Sequence, residues 1–187
     1  MTLKTDVPLL APHSGAEGER PGGPLLAART MAVLVGVFSF GAVFVALISQ
    51  YQFGMQPCPW CTFQRLIFLV IGVLALLCAA WPGGGLGRSL SAVTVCMALG
   101  GVASALWQHF VAAKSGSCAM TLADHILDRL GLFRLLPSVF EPKASCAEAA
   151  VRLLGLPYEF WSLALFVICA GLMLSFLWMA WPRRFEA

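Results

Sequence analysis

Four long apolar segments constrain the fold of this chain more than any other feature of its sequence. They cover residues 30–50, 62–81, 90–110 and 159–181, and each is close to the ~20 residues that a helix needs to cross a membrane. A segment in lipid must be helical because lipid offers its backbone no hydrogen-bond partner. We therefore predict an all-α membrane protein, a four-transmembrane-helix bundle with both termini on the same side.

The composition agrees with a membrane protein. Hydrophobic residues make up 59% of the 187 residues and charged residues only 11%, whereas a soluble domain is about half apolar and about a quarter charged. The net charge of +3 comes from scattered cations that do not alternate with aromatic residues. This pattern argues against a nucleic-acid partner.

The segments between the predicted spans differ in length and character. Residues 1–29, rich in proline and glycine, are expected to form a flexible tail, and residues 182–187 a second tail. A Gly-rich turn at residues 82–89 would lie on the side of the tails, and external loops at residues 51–61 and 111–158 on the other side. Lys and Arg near helix ends favour the cytoplasm for the side of the tails, although the two sides differ little in their number.

A short amphipathic helix is predicted inside the second external loop. Apolar residues recur there at helical spacing, and charged residues occupy the other face. Such a helix is too short to span a membrane, and it suits either the membrane interface or the mouth of the bundle. Its apolar positions are Leu122, Ile126, Leu127, Leu130 and Phe133.

The predicted topology divides the seven cysteines into two groups. Cys58, Cys61, Cys118 and Cys146 fall in the two external loops. Four thiols on one side could form two disulfides, which persist only outside the reducing cytoplasm, and this supports the chosen orientation. The other three lie within spans, where we expect them to be small packing residues; they are Cys78, Cys96 and Cys169.

Cys58 and Cys61 form a C-x-x-C motif where the second helix is predicted to begin. A helix N-terminus carries a partial positive charge that stabilises a thiolate. Arg65 follows Cys61 by one helical turn and falls on the same face, where a guanidinium favours a thiolate and can donate to a carbonyl oxygen. An arginine in an apolar span is a functional candidate, and the alternative is that it snorkels to the headgroups.

Two alternatives without redox chemistry remain open for the loop cysteines. They could bind zinc as four thiolate ligands, or they could form two purely structural disulfides. Arg65 disfavours both alternatives because neither needs a cation beside Cys61.

Residues 57–65, with the sequence Pro-Cys-Pro-Trp-Cys-Thr-Phe-Gln-Arg, resemble the first external loop and second helix of the disulfide bond formation protein B (DsbB) family. Ser-Cys-Ala-Glu at residues 145–148, Leu-Gly-Leu-Pro at 154–157 and the following Trp161 extend the resemblance, which covers roughly residues 30–181. The family often has an acidic residue where this chain has Gln64, which removes one candidate partner for Arg65.

The resemblance implies a membrane thiol oxidase of the bacterial inner membrane, a multi-pass protein with cytoplasmic termini and periplasmic cysteine loops. Such an enzyme reoxidises a periplasmic, thioredoxin-like dithiol oxidase (DsbA-like) and passes the electrons to a membrane quinone. Ubiquinone is the expected quinone, with menaquinone as the alternative.

Roles for the cysteines also follow from the resemblance. Cys118 would receive the attack of the reduced partner, and Cys146 would be its disulfide partner and relay electrons towards Cys58. Cys61 would be the thiolate beside the quinone ring.

The resemblance assigns two further residues to the quinone. Arg65 would support both the Cys61 thiolate and the quinone. His109, near the outer end of the third span, matches a family histidine close to the quinone site, and its alternative is a capping or interfacial histidine.

Three other functions are alternatives to this enzyme. A relative of the vitamin K epoxide reductase family would carry its redox motif in the fourth core helix, whereas here the motif opens the second. A reductase that imports electrons would need a paired motif accessible from the cytoplasm. The main alternative is a non-enzymatic four-span membrane interaction protein with two structural disulfides.

Overall fold

The computed structural model describes residues 23–114 and 120–180. In chain order its elements are α1 (Gly23–Gln52), α2 (Pro59–Ala80), α3 (Gly84–Trp107), a π-helical turn (Gln108–Ala112), α4 (Leu122–Arg129), α5 (Leu132–Leu135), α6 (Pro137–Phe140), the strands β1 (Arg152–Leu153) and β2 (Leu156–Pro157), and α7 (Tyr158–Met179).

Four helical segments within this described part are long and apolar enough to cross a membrane. They lie where the sequence predicted spans, and this confirms the all-α, four-transmembrane-helix fold class. The segments are Leu25–Gln52, Pro59–Ala80, Gly84–Ala112 and Tyr158–Met179.

Two of these helices begin earlier than the hydropathy pattern predicted. α1 starts at Gly23 rather than at residue 30, because the Leu-Leu-Ala-Ala-Arg run at residues 25–29 consists of strong helix formers. α3 starts at Gly84 rather than at residue 90. Its first turn carries the buried Gly87, and any side chain at that position would overlap the carbonyl group of Trp81. The predicted tails are otherwise outside the described residues, at 1–22 and 181–187.

The four spans pack in a ring in which α1 and α3 each contact α2 and α7. Ile71 and Phe166 are fully buried in the core, and the rings of Phe68 and Phe166 stack with their centroids 4.0 Å apart. Large apolar side chains on the outer surface, such as Phe44 and Trp178, are exposed. A continuous apolar exterior of this kind is typical of a protein surrounded by lipid.

α4 is the short helix predicted in the long loop, and it packs on the mouth of the bundle against α2. Thr121 and Asp124 form a capping box at its N-terminus, in which each side chain accepts a hydrogen bond from the backbone of the other. Leu127 is buried beneath the helix, whereas Leu122 and Leu130 are exposed. The helix therefore takes the second of the two predicted positions, at the mouth of the bundle, and leaves an apolar edge exposed there.

The long loop also folds back onto the short loop that precedes α2. The Pro57 carbonyl oxygen accepts hydrogen bonds from the backbone N–H groups of Lys143 (2.9 Å) and Ala144 (3.3 Å). Further along, β1 and β2 form a tight hairpin whose turn residues Leu154 and Gly155 have φ values of 53° and 84°. A two-residue turn with positive φ at both positions matches the twist of the strands. The hydrogen bonds to Pro57 bring the two cysteine-bearing loops together.

Candidate functional site

The C-x-x-C motif lies at the N-terminus of α2. Cys58 is the N-cap residue in an extended conformation, and Pro59 occupies the first turn, where proline is tolerated because the N–H group has no helical partner anyway. The Cys58 sulphur accepts a hydrogen bond from the Cys61 backbone N–H (3.3 Å), and the two sulphurs are 2.6 Å apart. Both thiols therefore lie at the positive end of the helix dipole.

Cys146 joins this pair from the long loop. Its side chain and that of Cys58 are buried together in a small cluster with Trp60 and Ala123. Cys58 therefore lies between Cys61 and Cys146 and contacts both. The fold brings together three of the four predicted redox cysteines.

The surroundings of Cys58 and Cys146 shift the pKa values of their thiols in opposite directions. The pKa of Cys58 lies well above its usual range because its thiol is hydrogen-bonded to Cys146 and Cys61 and is buried. The pKa of Cys146 is lowered, chiefly because its sulphur accepts the hydrogen bond from Cys58. The arrangement favours a thiolate on Cys146 beside a protonated Cys58.

A compact turn holds Cys146 in position. The Glu148 carboxylate accepts hydrogen bonds from the Ser145 N–H (2.9 Å) and hydroxyl (2.8 Å), and the Glu148 N–H donates to the Ser145 hydroxyl oxygen (3.3 Å). The backbone N–H and the hydroxyl of Ser145 lower the pKa of Glu148. The Ser-Cys-Ala-Glu motif thus forms a reciprocal side-chain cap that closes around Cys146.

Cys118 falls in residues 115–119, outside the described residues. Its disulfide with Cys146 and its role as the point of attack therefore stay predictions. Among the residues that the structure describes, no group of three His, Cys, Asp or Glu side chains is arranged to hold a metal ion.

Arg65 is buried at the outer end of the bundle, with 6% of its surface exposed. Its Nη1 atom donates to Gln50 Oε1 (2.7 Å) and to the Val139 carbonyl oxygen (2.8 Å), and its Nη2 atom donates to the Ala46 carbonyl oxygen (3.4 Å). These acceptors fix the guanidinium between α1, α2 and α6. The side chain points into the bundle, which argues against the snorkelling alternative.

A cavity of about 1220 Å³ opens beside this cluster. One part is apolar and runs between α1 and α7, where Phe38, Val45 and Leu165 line it. Towards the cysteine loops the lining becomes polar and includes Cys61 and Arg65. The cavity can therefore accept a ligand with an apolar tail and a polar head, with the head beside a thiol and a buried cation.

His109 lies one side chain away from the cavity. Its Nδ1 atom is 2.7 Å from Glu159 Oε1, and the buried Glu159 carboxylate lines the cavity. The imidazole also packs edge-on against Phe110 and Phe160. Any contribution of His109 to a ligand in the cavity would pass through Glu159.

The sequence interpretation missed four buried polar side chains in the outer turns of the spans. The sequence pattern treats Gln64 only as the loss of an acidic partner for Arg65, yet Arg65 finds its partner in Gln50 of α1. A polar residue within an apolar span is a functional candidate in its own right, and this signal would have found all four. They are Gln50, Gln64, Gln108 and Glu159, each no more than 5% exposed.

The fold and the site together define the class. Four membrane-crossing helices carry three clustered thiols at one end, beside a cavity that opens between two of the helices. The molecule is a multi-pass membrane oxidoreductase that acts on disulfides. The chain belongs to the DsbB family, since the family model described as Disulfide bond formation protein DsbB matches residues 28–176.

Relatives named disulfide bond formation protein B agree with this assignment. The chain is 34% identical to Disulfide bond formation protein B 1 of Pseudomonas putida over 149 residues, which cover 78% of this chain and 87% of the relative. It is 32% identical to Disulfide bond formation protein B of Chromobacterium violaceum over 157 residues, which cover 81% of this chain and 92% of that protein. No solved structure matches the chain significantly.

Proposed function

We propose that this protein reoxidises a DsbA-like dithiol oxidase on the periplasmic side of the bacterial inner membrane and passes the electrons to a membrane quinone. The observation that carries the proposal is the position of Cys58, which contacts Cys61 on one side and Cys146 on the other. A sulphur with two such neighbours can exchange its disulfide from one to the other with little movement.

The cavity fits a quinone by its chemistry. A quinone has a flat polar head and an apolar isoprenoid tail, and the cavity is polar beside Cys61 and Arg65 and apolar between α1 and α7. When bound, a quinone supplies an acceptor for two electrons and two protons, which no side chain can replace. Cys61 and Arg65 would hold its head, and ubiquinone is the expected species.

The thiol–disulfide exchanges balance as follows. A thiolate of the reduced partner attacks Cys118 in a Cys118–Cys146 disulfide, which forms a mixed disulfide and releases Cys146 as a thiolate. Cys146 attacks Cys58 in the Cys58–Cys61 disulfide, and Cys61 leaves as a thiolate. The second thiol of the partner displaces Cys118, so the partner departs oxidised. The freed Cys118 then displaces Cys58 from Cys146, which restores the loop disulfide and leaves Cys58 and Cys61 reduced.

The position of Cys146 supports the second exchange. Cys146 and Cys58 are buried in one cluster, and the first exchange releases Cys146 as a thiolate, the form that attacks a disulfide. The Ser145–Glu148 turn holds this thiolate against Cys58. Cys61 would depart towards the positive end of α2 and the charge of Arg65, which stabilise a thiolate.

The orientation is part of the proposal. Both termini would lie in the cytoplasm, and the loops at residues 51–61 and 111–158 in the periplasm, where disulfides persist. The partner would then meet the second loop from the periplasm.

Anaerobic reduction of a soluble ubiquinone by the purified protein tests the proposal. The full-length chain is supplied with a reduced DsbA-like oxidase, and the loss of quinone absorbance is followed for the wild-type protein and for Cys61→Ser. Catalytic turnover that the variant lacks supports the relay. Turnover by Cys61→Ser, or no turnover by a folded wild-type protein with intact loop disulfides, overturns it, and the second result would favour the non-enzymatic four-span protein.

A further inference from the structure

Two buried amides form a continuous chain that ends on the Cys61 sulphur. Gln64 Nε2 donates to Gln108 Oε1 at 2.7 Å, and Gln108 Nε2 donates to Cys61 Sγ at 3.4 Å. The two glutamines are 4% and 5% exposed. They line the same cavity as Cys61.

The Cys61 sulphur determines which amide groups donate and which accept in this series of hydrogen bonds. A thiolate can only accept hydrogen bonds, so Gln108 must present its NH₂ group to Cys61 and its oxygen to Gln64. Gln64 must then donate through its own NH₂ group. An ionised carboxylate at position 64 cannot donate, and it would attract the Gln108 NH₂ group and turn the Gln108 oxygen towards Cys61.

The π-helical turn at the end of α3 positions the amide. The Ala113 N–H donates to the Gln108 carbonyl oxygen, five residues earlier (2.8 Å), and such turns are rare and occur frequently at functional sites. Gln108 and Ala112 are buried towards α2, whereas His109 reaches Glu159 of α7. The end of α3 thus directs one side chain towards α2 and another towards α7.

We propose that Gln108 stabilises the Cys61 thiolate by a direct hydrogen bond, and that Gln64 is a positioning residue that fixes the orientation of the Gln108 amide. The inference rests on the proposed function, in which Cys61 is the thiolate beside the electron acceptor. It gives a physical reason for an amide at position 64.

Gln108 donates a hydrogen bond to the Cys61 sulphur, whereas Arg65 does not. The three hydrogen bonds of Arg65 end on oxygens of Gln50, Val139 and Ala46, and the arginine acts on Cys61 through its charge. A neutral amide donates a directed hydrogen bond to the sulphur. In a site of low dielectric, a hydrogen bond to a charged acceptor is stronger than one between neutral groups.

Other ionisable groups also face Cys61 and belong to every variant described below. Cys58 and Arg65 lie on or beside the same helix, Tyr158 approaches from α7, and Cys146 from the long loop. Because these groups stay in place, a difference between variants reports on the amides.

The test is the pH profile of Cys61 alkylation in the reduced full-length protein. Iodoacetamide modification of the Cys61 peptide is followed by mass spectrometry from pH 5 to pH 10 in the wild-type protein, Gln108→Leu, Gln108→Met and Gln64→Met. The midpoint of the profile reports the stability of the thiolate, whereas the plateau rate at high pH reports access to the sulphur. Gln52→Leu is the matched control because Gln52 is exposed at the end of α1.

The midpoint is expected to rise by about one pH unit in both Gln108 variants, which is about a tenfold lower thiolate fraction at neutral pH. Gln64→Met should raise it as well, although residue 64 does not touch the sulphur, because the Gln108 amide loses the donor that fixes its orientation; Gln52→Leu should leave it unchanged. Gln108→Met and Gln64→Met are neutral and similar in size to glutamine, so they add no charge beside the sulphur and decide the question if Gln108→Leu does not fold.

Unchanged midpoints in folded Gln108 variants would overturn the role of Gln108. A shift in those variants without one in Gln64→Met would overturn the positioning role of Gln64. The alkylation measurement needs neither quinone nor partner. A normal profile with no quinone turnover would therefore refute the proposed function and leave the amide chain in place.

Discussion

The side chains of Cys146 and Cys58 are buried in one cluster that joins the two loops at the outer end of the bundle. The contact depends on backbone hydrogen bonds from Lys143 and Ala144 to the Pro57 carbonyl oxygen, which hold the loops together. The two sulphurs therefore belong to one reaction site, although the two membrane spans α2 and α3 separate them in the sequence.

A disulfide between Cys58 and Cys146 is the first expected consequence. In a variant that carries Cys61→Ser and Cys118→Ser, mild oxidation with diamide should join Cys58 to Cys146, because no other loop cysteine competes. Mass spectrometry of non-reduced peptides measures the product. The matched control carries Cys58→Ser and Cys118→Ser and leaves Cys61 with Cys146. Equal yields in the two proteins would contradict the central position of Cys58.

The turn around Cys146 should depend on pH through Glu148. The pKa of Glu148 lies below its usual range because Ser145 donates hydrogen bonds to the carboxylate. The ionised Glu148 carboxylate therefore stabilises the turn fully above the pKa that Glu148 has in the unfolded chain. This stabilisation is lost as the pH falls through the lowered pKa of Glu148 in the folded protein. Hydrogen-exchange protection of the Ser145 amide, corrected for the intrinsic rate, should decrease over that acidic range.

Glu148→Gln should remove this pH dependence and weaken the protection at pH 7, since a neutral amide accepts a weaker hydrogen bond. Glu141→Gln, in the same loop, is the control and should behave as the wild-type protein. A pH dependence that persists in Glu148→Gln would assign it to another group.

The proposed orientation predicts which side of the membrane each connection faces. Gly85 and Leu135 are both exposed, the first at the start of α3 and the second in α5 of the long loop. In a cysteine-free background, a membrane-impermeant maleimide applied to intact spheroplasts should label Leu135→Cys and should not label Gly85→Cys. Labelling of Gly85→Cys alone would invert the topology and place the thiols in the cytoplasm.

The four spans and the helix start at Cys58 could be predicted because their causes are local. Segment length and hydropathy decide whether a helix crosses a membrane, and proline after the N-cap favours a helix start. The α4 helix was also predicted from its apolar spacing, although the chain turns at Gly131, which has a φ of 69°, and this places Phe133 in α5.

The partners of Arg65 could not be predicted in the same way. They come from α1 and from the Val139 carbonyl oxygen of α6, and in an apolar span the sequence pattern does not determine which face of one helix meets another. The π-helical turn at Gln108 depends on the same inter-helix contacts. The missed residues are therefore those whose partners lie on other helices.

Arg65→His should weaken quinone binding. Histidine is too short to reach Gln50 Oε1 and the Val139 carbonyl oxygen together, and it is neutral at most values above pH 7. Loss of a charge-assisted hydrogen bond of about 1.5 kcal/mol corresponds to about a tenfold higher KM for quinone. Steady-state kinetics with a soluble quinone measures it. Arg88→His, at the opposite end of the bundle, should leave KM unchanged, and an unaltered KM in Arg65→His would reduce Arg65 to a structural residue.

Gly101 allows α3 to pack closely against α7. A Cβ atom at this position would overlap the ring of Phe166, which is fully buried and stacked on Phe68, so the ring has no space into which it can move. Small residues at such contacts are typical of membrane bundles, where close packing takes the place of the hydrophobic effect.

Gly101→Ala should therefore lower the free energy of unfolding by about 1–3 kcal/mol, as overpacking of a filled core does. Gly100→Ala is the matched control, because a Cβ atom at position 100 meets nothing within 4 Å. Both substitutions place the same alanine in the same helix and change its intrinsic helix propensity equally. Thermal unfolding in detergent, followed by circular dichroism, compares the two. Equal stabilities would mean that α3 and α7 lie further apart than the Phe166 contact requires.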